Sequence, residues 1–323
     1  MTAHDLAGVP VLVTGGAGFI GSHLVDALLE RGAVVRVLDN LATGRLENLA
    51  HCRDRIELVE ADLRDRDACR AACDGRRVVF HQAALGSVPR SVEDPVTTLG
   101  VNVQGTAHVF DACRLAGVER VVYASSSSVY GDSEELPKVE GREGRPLSPY
   151  AASKVMTEEL AAVFARTYSM TLVGLRYFNV YGPRQDPEGP YAAVIPRFFR
   201  ACLADRSPVI YGDGEQSRDF TFVADAVTAN LLAAGTAATG ATVSNVAGGR
   251  RTTVNELARA VAASLGLSSE PLHEPSRAGD VRHSLADLTR AARLLGYAPT
   301  TDLPTGLSRT SSYYSSDAVG TLP

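Results

Sequence analysis

Apolar runs alternate with amphipathic stretches along the first 130 residues of the chain. The runs are short, rich in valine, leucine and isoleucine, and occupy residues 9–13, 34–38, 56–60, 78–81 and 120–124. Segments with helical periodicity lie between them, the first of which covers residues 22–30. Strands that are apolar on both faces and separated by helices indicate a parallel sheet covered by helices on both sides. The pattern therefore predicts an α/β fold built on a doubly wound parallel sheet.

Composition and charge narrow the class of protein. The 323 residues are 45% hydrophobic and 21% charged, as in an ordinary globular chain. The formal net charge of -5 argues against nucleic acid or an anionic membrane surface as the main partner. No apolar run approaches the roughly 18 residues of a membrane helix. The N-terminus also lacks the basic start of a secretory signal, so a cytoplasmic protein is expected.

Cysteines and histidines form no recognisable metal or disulfide pattern. The five cysteines are odd in number, and their positions (52, 69, 73, 113 and 202) match neither a zinc site nor a redox pair. Reduced thiols are expected, in agreement with a cytoplasmic location. The seven histidines are scattered along the chain, and no metal site is predicted.

A glycine-rich turn joins the first strand to the first helix. Its spacing is Gly16-x-Gly18-x-x-Gly21, and backbone amides at such a turn can hold a pyrophosphate together with the helix dipole. Asp39 ends the second strand, where a carboxylate would accept hydrogen bonds from an adenosine ribose. Because the same charge would repel a 2′-phosphate, the pattern predicts NAD rather than NADP.

Tyr150 and Lys154 are four residues apart, so on a helix they would share one face, with their Cβ atoms about 5–6 Å apart. Lowering a tyrosine pKa from about 10 to near neutrality takes roughly 4 kcal/mol. One unit charge at about 4 Å, in a medium of effective dielectric about 20, supplies roughly that much. The chain has only two lysines, the other being Lys138, which suggests a need for a compact ammonium at this position. The pair predicts a base for a sugar or alcohol hydroxyl.

These motifs resemble those of the extended short-chain dehydrogenase/reductase superfamily. Within it, longer segments resemble the bacterial UDP-N-acetylglucosamine 4-epimerases of O-antigen and capsule pathways. The resemblance runs from residue 9 to about residue 314 and is carried mainly by residues 81–90, 147–154, 175–182, 185–196 and 279–287. It implies a Rossmann sheet with a smaller C-terminal lobe. The implied division is a dinucleotide-binding domain at 1–178, with returns near 219–245, and a UDP-sugar lobe at 179–323.

The resemblance also implies a mechanism and its residues. Tyr150 takes the proton from the sugar 4-hydroxyl while C4 gives a hydride to NAD, and the 4-keto sugar turns over before the hydride returns. Lys154 holds the nicotinamide ribose, and Ser126 hydrogen-bonds O4. NAD stays bound, and the reaction is redox-neutral overall.

Binding residues are implied position by position. For NAD they are Gly15, Gly18, Phe19, Ile20, Gly21, Asp39, Asn40, Thr43, Gly44, Asp62, Leu63, Ala83, Ala84, Asn102, Ala124, Tyr150, Lys154 and Tyr177. For the UDP-sugar they are Ser87, Ser126, Ser128, Asn179, Tyr191, Ala193, Val194, Tyr211, Arg218, Arg277, Asp280 and Ser284.

Ser284 is the position that bears on substrate choice. In the resembled family a bulky tyrosine here restricts the pocket to plain hexoses, whereas a small serine or cysteine admits a 2-acetamido group. UDP-GlcNAc and UDP-GalNAc are therefore expected to be preferred over UDP-Glc and UDP-Gal, with Ser87 and Ala193 lining the same cavity. A purely structural alternative is that Ser284 caps a helix beginning at residues 284–287, a good N-cap pattern.

Residues 101–115 and 151–165 are apolar around much of their helical circumference. A helix lying on a sheet buries one stripe, so the extra face suggests a homodimer through a four-helix bundle, as in the resembled family. Deeper burial beneath the second lobe is the alternative. Residues 306–314 keep the family's terminal pattern with weak helix formers, and disorder is expected for 315–323.

Three alternative functions differ in the residues that they require. A dehydratase or decarboxylase would need acid and base groups after Ser126, where this chain has Ser127 and Ser128. A UDP-glucuronate 4-epimerase stays open, since a serine-rich loop can also hold a carboxylate. A non-catalytic NAD-binding scaffold would be expected to lack Tyr150 or Lys154, and both are present.

Overall fold

Seven parallel strands form the central sheet of the protein, whose computed structural model describes residues 6–188, 192–275 and 282–316. The strands of the described residues are β1 (Pro10–Thr14), β2 (Val34–Asp39), β3 (Ile56–Glu60), β4 (Val78–His81), β5 (Arg120–Ser126), β6 (Leu172–Tyr177), β7 (Val180–Tyr181), β8 (Val209–Tyr211), β9 (Ser217–Asp219), β10 (Thr221–Phe222), β11 (Ala241–Val246), β12 (Arg251–Thr253) and β13 (Leu272–Glu274). The central sheet has the order β11-β6-β5-β4-β1-β2-β3. The doubly wound fold predicted from the sequence is confirmed, and the five predicted strands are present with ends shifted by no more than two residues.

Helices cover both faces of this sheet. The helices of the described residues are α1 (Phe19–Glu30), α2 (Arg66–Cys73), α3 (Val88–Glu93), α4 (Pro95–Leu99), α5 (Thr106–Leu115), α6 (Pro149–Tyr168), α7 (Val194–Leu203), α8 (Val223–Gly235), α9 (Val254–Ser264), α10 (Thr289–Leu295) and α11 (Leu303–Ser315). Two 3₁₀ segments occupy Leu46–Arg55 and Ser127–Tyr130, and a π-helical segment, Gly100–Gly105, joins α4 to α5.

Alternate residues of β1 face the two helical layers, as the period of two along a strand requires. Val11 and Val13 pack in a core cluster with residues of α1 and α8. Leu12 packs in the opposite cluster, which includes residues of α2, α5 and α6. Phe110 of α5 lies in that second cluster and makes edge-on ring contacts with neighbouring aromatic residues. Burial on both faces explains the continuous apolar run of this strand.

A smaller lobe is built around a third cluster, formed largely by α7, α9 and α11. Three two-stranded pairs accompany it: β7 with β10, β8 with β13, and β9 with β12. Between these parts the chain returns to the first body, because α8 packs on α1 and β11 joins the central sheet beside β6. α11 forms despite its weak helix formers: Asp302 caps it by accepting from Thr305 N, and Leu307 and Tyr314 are buried.

The proposed helix start at Ser284 is wrong. α10 begins five residues later, at Thr289, and its N-cap is Leu288. Ser284 N instead donates to Ser217 O, and His283 bridges Ser217 in the same parallel pairing. The amides of Ala286 and Asp287, which a cap at Ser284 would bind, donate instead to Asp219 Oδ2 and Lys138 O. Tertiary contacts therefore override the local capping signal.

All five cysteines are buried as free thiols, as the sequence predicts. Cys73 Sγ and Cys113 Sγ lie 3.8 Å apart where α2 packs on α5. No helix in the described part of the chain is long and apolar enough to cross a membrane.

Candidate active site

A cavity of about 840 Å³ opens at the carboxyl ends of the central strands. The carboxyl ends of parallel strands all lie at the same edge of a sheet. Because β1 pairs with β2 on one side and with β4 on the other, the chain leaves β1 toward one side of the sheet and leaves β3 toward the other side. Ligands of doubly wound sheets bind in the crevice outside such a switch point. Sequence-predicted residues that line it are Gly15, Gly18, Phe19, Ile20, Gly21, Asp39, Asn40, Thr43, Gly44, Asp62, Leu63, Ala83, Ala84, Ala124, Ser126, Tyr150, Lys154, Tyr177 and Asn179.

The glycine turn allows backbone to approach the cavity closely. Gly15 has φ +69°, and a Cβ there would lie 2.7 Å from the Ala83 backbone. A Cβ on Gly21 would lie 2.0 Å from Gly15 O. Gly18 is the N-cap of α1 and carries no side chain to satisfy the first amides of the helix. Those amides and the helix dipole therefore suit a pyrophosphate.

Two carboxylates, Asp39 at the end of strand β2 and Asp62 after strand β3, line the cavity. Asp39 Oδ2 accepts from Ala17 N and Oδ1 from Leu41 N, both at 2.9 Å, which fixes its orientation. Burial raises the pKa of the Asp39 carboxyl, and these backbone hydrogen bonds oppose that rise. At Asp62, hydrogen bonds from Arg64 hold the carboxyl pKa well below its usual range. This arrangement suits the ribose hydroxyls of NAD and opposes a ribose phosphate.

Tyr150, Lys154 and Ser126 meet at one end of the cavity. Ser148 caps α6 by accepting from Ala151 N at 3.1 Å, and this places Tyr150 in the first turn. Ser126, the last residue of β5, lies near enough to the Tyr150 phenol to lower its pKa. Lys154 Nζ donates to Ala124 O at 2.8 Å and lies 5.9 Å from the centroid of the Tyr150 ring. The three predicted side chains are thus brought together.

Burial acts on both members of the tyrosine–lysine pair. It raises the pKa of Tyr150, with the Ser126 hydrogen bond acting in the opposite direction. Burial also lowers the pKa of Lys154 to about 8, with the Glu158 charge opposing. Desolvation thus disfavours the charged form of each group and acts against the effect of the lysine charge on the tyrosine.

Asn102, predicted to bind NAD, lies just behind the cavity lining. It does not line the cavity, and its side chain accepts from Leu85 N at 2.8 Å and donates to Ser153 Oγ at 3.0 Å. It is buried in the π-helical segment, where the extra residue per turn lets it face the loop after β4. Its role is to hold Leu85, which itself lines the cavity.

The remaining predicted substrate residues do not line this cavity. They are Ser87 at the N-cap of α3, Ser128 in the 3₁₀ turn after β5, Ala193 and Val194 at the start of α7, Tyr211 at the end of β8, Arg218 in β9, and Ser284 beside β9. The hydroxyls of Ser128 and Ser284 are buried, with no hydrogen-bond partner among the described residues. Tyr191, Arg277 and Asp280 lie outside the described residues.

Several lining residues were not predicted, among them Gln82, Arg90, Ser127 and Gln185. Gln82 directly follows β4, and its amide bonds Asn230 and Tyr177 in a closed network with distances of 2.7–3.1 Å. Its place after a buried strand was a usable signal in the sequence, because polar residues at strand ends face such crevices.

One group of potential metal ligands appears that the sequence does not reveal. Ligand atoms of Asp26, His51 and Cys52 lie within 4.8 Å of one another. Asp26 is already engaged, however, by His51 at 2.6 Å and by the Arg184 guanidinium at 2.8 Å. The positive charge of Arg184 beside the same carboxylate disfavours a divalent cation there.

Replacing Gly21 with alanine tests the glycine turn. Because the new Cβ would lie 2.0 Å from Gly15 O, the turn must shift. Overpacking costs about 1–3 kcal/mol, so retention of NAD should weaken about tenfold or more. NAD released on denaturation of the purified variant measures this. Gly100→Ala is the control, since its Cβ would meet only Arg64 Cδ at 3.8 Å. Equal retention in both variants would contradict the assignment.

Comparison with known proteins agrees with this geometry. Residues 11–247 match the model of the NAD dependent epimerase/dehydratase family. The chain is 44% identical over 307 residues to the UDP-glucose 4-epimerase of Mycolicibacterium smegmatis, covering 94% of this chain and 97% of the relative. UDP-glucuronate 4-epimerase 4 of Arabidopsis thaliana is 34% identical, covering 96% of this chain and 77% of that protein.

Solved structures show the same fold with ligands. The UDP-N-acetylglucosamine 4-epimerase from Methanobrevibacter ruminantium, in complex with UDP-N-acetylmuramic acid, superposes with a TM-score of 0.91 at 40% identity, covering 95% and 98% of the two chains. The Thermus thermophilus UDP-glucose 4-epimerase, in complex with NAD, gives 0.86 at 38% identity, covering 95% and 99%. This chain therefore belongs to the NAD dependent epimerase/dehydratase family, as an NAD-dependent enzyme of the nucleotide-sugar 4-epimerase kind.

Proposed function

We propose that this enzyme interconverts UDP-GlcNAc and UDP-GalNAc through a transient 4-keto sugar. The observation that carries the proposal is the meeting of Tyr150, Ser126 and Lys154 at one end of a cavity whose other end has the geometry of a dinucleotide site. Bound NAD supplies a hydride acceptor that is regenerated in each turnover.

The protein side chains have separate tasks in this scheme. Tyr150 removes the proton of the sugar 4-hydroxyl and returns it when the opposite epimer forms. Ser126 lies beside Tyr150, so its hydroxyl can bind the same sugar oxygen. Lys154, anchored on Ala124 O, places its ammonium beside the Tyr150 ring and favours the phenolate. No net oxidation of the sugar results, so the cofactor stays bound.

Elimination chemistry is disfavoured by the residues after Ser126. A dehydratase needs a proton donor and acceptor beyond the tyrosine, and positions 127 and 128 carry hydroxyls with no carboxylate. The uronate alternative has support from relatives that are UDP-glucuronate 4-epimerases. A substrate panel of UDP-GlcNAc, UDP-GalNAc, UDP-Glc, UDP-Gal and UDP-GlcA separates these functions by the C4 epimers that form.

Tyr150→Phe tests the proposed base. Removing the phenol should lower kcat about 10²–10⁴-fold, the range for loss of a general acid–base. Epimer formation from UDP-GlcNAc is followed by NMR, and bound NAD is measured after denaturation to show that the site survives. Tyr168→Phe is the control, since this tyrosine is exposed near the end of the same helix. Near-normal turnover in Tyr150→Phe would refute the mechanism, as would stoichiometric NADH with an oxidised sugar as final product.

Ser284 is proposed to set the size of the sugar pocket. Its small side chain is only partly exposed, its hydroxyl lacks a partner among the described residues, and its backbone is tied to β9 through Ser217 O. Because the backbone at this position is fixed, the volume of the side chain determines how much of the proposed sugar pocket it fills. The proposed consequence is room for a 2-acetamido group.

Ser284→Tyr should lower turnover of UDP-GlcNAc about tenfold or more and spare UDP-Gal, since overlap in a packed site costs about 1–3 kcal/mol. Ser284→Ala is the matched control and should keep the native preference. The measurement is kcat/KM for both substrates. Equal losses for the two sugars in Ser284→Tyr, or a native enzyme that uses UDP-GlcA alone, would contradict the proposal.

A homodimer through α5 and α6 is also proposed. Large apolar side chains on these helices remain exposed: Leu115 53%, Met156 46%, Val163 44% and Tyr168 46%. Deeper burial beneath the second lobe does not account for these side chains. An apolar face of this kind on paired helices suits a four-helix bundle with a second copy.

Val163→Glu should disrupt the dimer, because it places a charge in the proposed apolar interface. Light scattering at micromolar concentration should give about twice the monomer mass for the native protein and the monomer mass for the variant. Val34→Glu is the control, since Val34 is equally exposed but lies at the start of β2. A monomeric native protein would rule the interface out.

A further inference from the structure

Three polar side chains join the two strands that flank β5. Gln82 directly follows β4, Tyr177 ends β6, and Asn230 lies in α8. Both β4 and β6 pair with β5, and Tyr177 is the register partner of Ser126. Gln82 and Tyr177 line the cavity, whereas Asn230 is not among the described residues that line it. The two lining side chains therefore form part of the cavity wall at the end where Ser126 and Tyr150 lie.

The hydrogen bonds among these side chains run in one direction around a closed ring. Asn230 Nδ2 donates to Ala226 O at 2.8 Å, and because a backbone carbonyl only accepts, this contact identifies the amide nitrogen. The same nitrogen donates to Tyr177 Oη at 2.7 Å. Tyr177 Oη donates to Gln82 Oε1 at 3.1 Å, and Gln82 Nε2 donates to Asn230 Oδ1 at 2.9 Å. The carbonyl of Ala226 thus fixes the orientation of all three side chains.

Burial keeps water from replacing these bonds. Asn230 is 0% exposed and Tyr177 is 8% exposed. Burial also raises the pKa of Tyr177, so its hydroxyl keeps the proton that it donates to Gln82. After the ring is closed, Gln82 retains one amide hydrogen and one carbonyl lone pair for a ligand in the cavity that it lines. A primary carboxamide, such as that of nicotinamide, offers the complementary acceptor and donor.

We propose that Asn230 is a positioning residue for the nicotinamide end of NAD: it orients Gln82 and Tyr177, which form the cavity wall beside Ser126. In the proposed reaction the hydride acceptor lies at this end, because Tyr150 there takes the proton of the sugar 4-hydroxyl. The inference rests on that role of Tyr150. It adds a residue from α8 that acts on the cofactor only through the two side chains that it holds.

Asn230→Leu tests this role through the rate at which the folded holoenzyme releases NAD. Leucine has a similar shape but no polar group, so Gln82 Nε2 loses its acceptor and the amide is free to rotate. Loss of a partner by a buried polar group should speed the release about tenfold or more. The measurement is the NAD that passes a size-exclusion membrane over time, without any sugar present. The melting temperature of each variant is recorded beside it.

Asn245→Leu is the matched control. Asn245 of β11 is also 0% exposed; it accepts from the Tyr130 hydroxyl at 2.7 Å and donates to Lys138 O at 2.9 Å. None of these three residues lines the cavity. The control should lower the melting temperature as Asn230→Leu does, yet keep the native rate of NAD release. An equal rise in both variants would show a structural role only and would overturn the inference, as would a native rate in Asn230→Leu.

Tyr177→Phe opens the same ring at another point, since it removes the hydroxyl between Asn230 and Gln82. It should speed NAD release by itself, and Asn230→Leu should then add a smaller factor than it does in the native chain, because members of one network are coupled. An equal factor in both backgrounds rejects the proposal. If Asn230→Leu does not fold, Tyr177→Phe decides against Tyr130→Phe, and equal release rates in these two variants reject it.

The failure of this inference and that of the proposed function give different results. Turnover retained in Tyr150→Phe, together with fast NAD release in Asn230→Leu, would refute the proposed reaction and support the role of Asn230 in holding NAD. An inactive Tyr150→Phe with native NAD release in Asn230→Leu would refute only the role of Asn230.

Discussion

The pairing of β1 with both β2 and β4 is the constraint on which the rest of the molecule depends. It brings the carboxyl ends of all the central strands to one edge and sends the following connections to opposite faces, which leaves a crevice between them. The two ends of the site follow from it. The glycine turn and Asp39 come from β1 and β2, whereas Ser126 and Tyr177 come from β5 and β6.

Buried charge then determines how the elements around this edge fit together. Lys154 lies under the site because its ammonium donates a hydrogen bond to Ala124 O and Glu158 lies one turn away. Asp219 is the buried charged residue at the smaller lobe, and burial raises the pKa of its carboxyl to about 6. Its carboxylate accepts a hydrogen bond from Ala286 N at 3.1 Å, and its backbone carbonyl accepts one from Asn179 Nδ2 at 2.8 Å. A buried charge without such partners would cost several kcal/mol, so these contacts specify one arrangement of the elements that carry the site.

Much of this architecture is legible in the sequence. Short apolar runs at regular intervals predict the central strands, because strands buried on both faces need no polar alternation. The spacing of the glycine turn can also be recognised in the sequence, because a Cβ at Gly21 would collide with Gly15 O and only glycine fits there. The i, i+4 spacing of Tyr150 and Lys154 is a property of the helix itself, and the structure indeed places both side chains at the cavity.

Other features depend on segments far apart in the chain, and only the tertiary structure decided them. Ser284 forms no helix cap because the amides it would bind, those of Ala286 and Asp287, donate to Asp219 and Lys138. Asn102 supports the cavity without lining it, because a π-helical segment turns it toward Leu85. Burial shifts the pKa values of both Tyr150 and Lys154, and the charge of Glu158, which pairs with Arg176 from another strand, opposes the shift at Lys154. Spacing along a helix thus determined which groups could meet. Desolvation and partners distant in the sequence determined the charge that these groups carry, because burial and such partners arise only when the chain is packed.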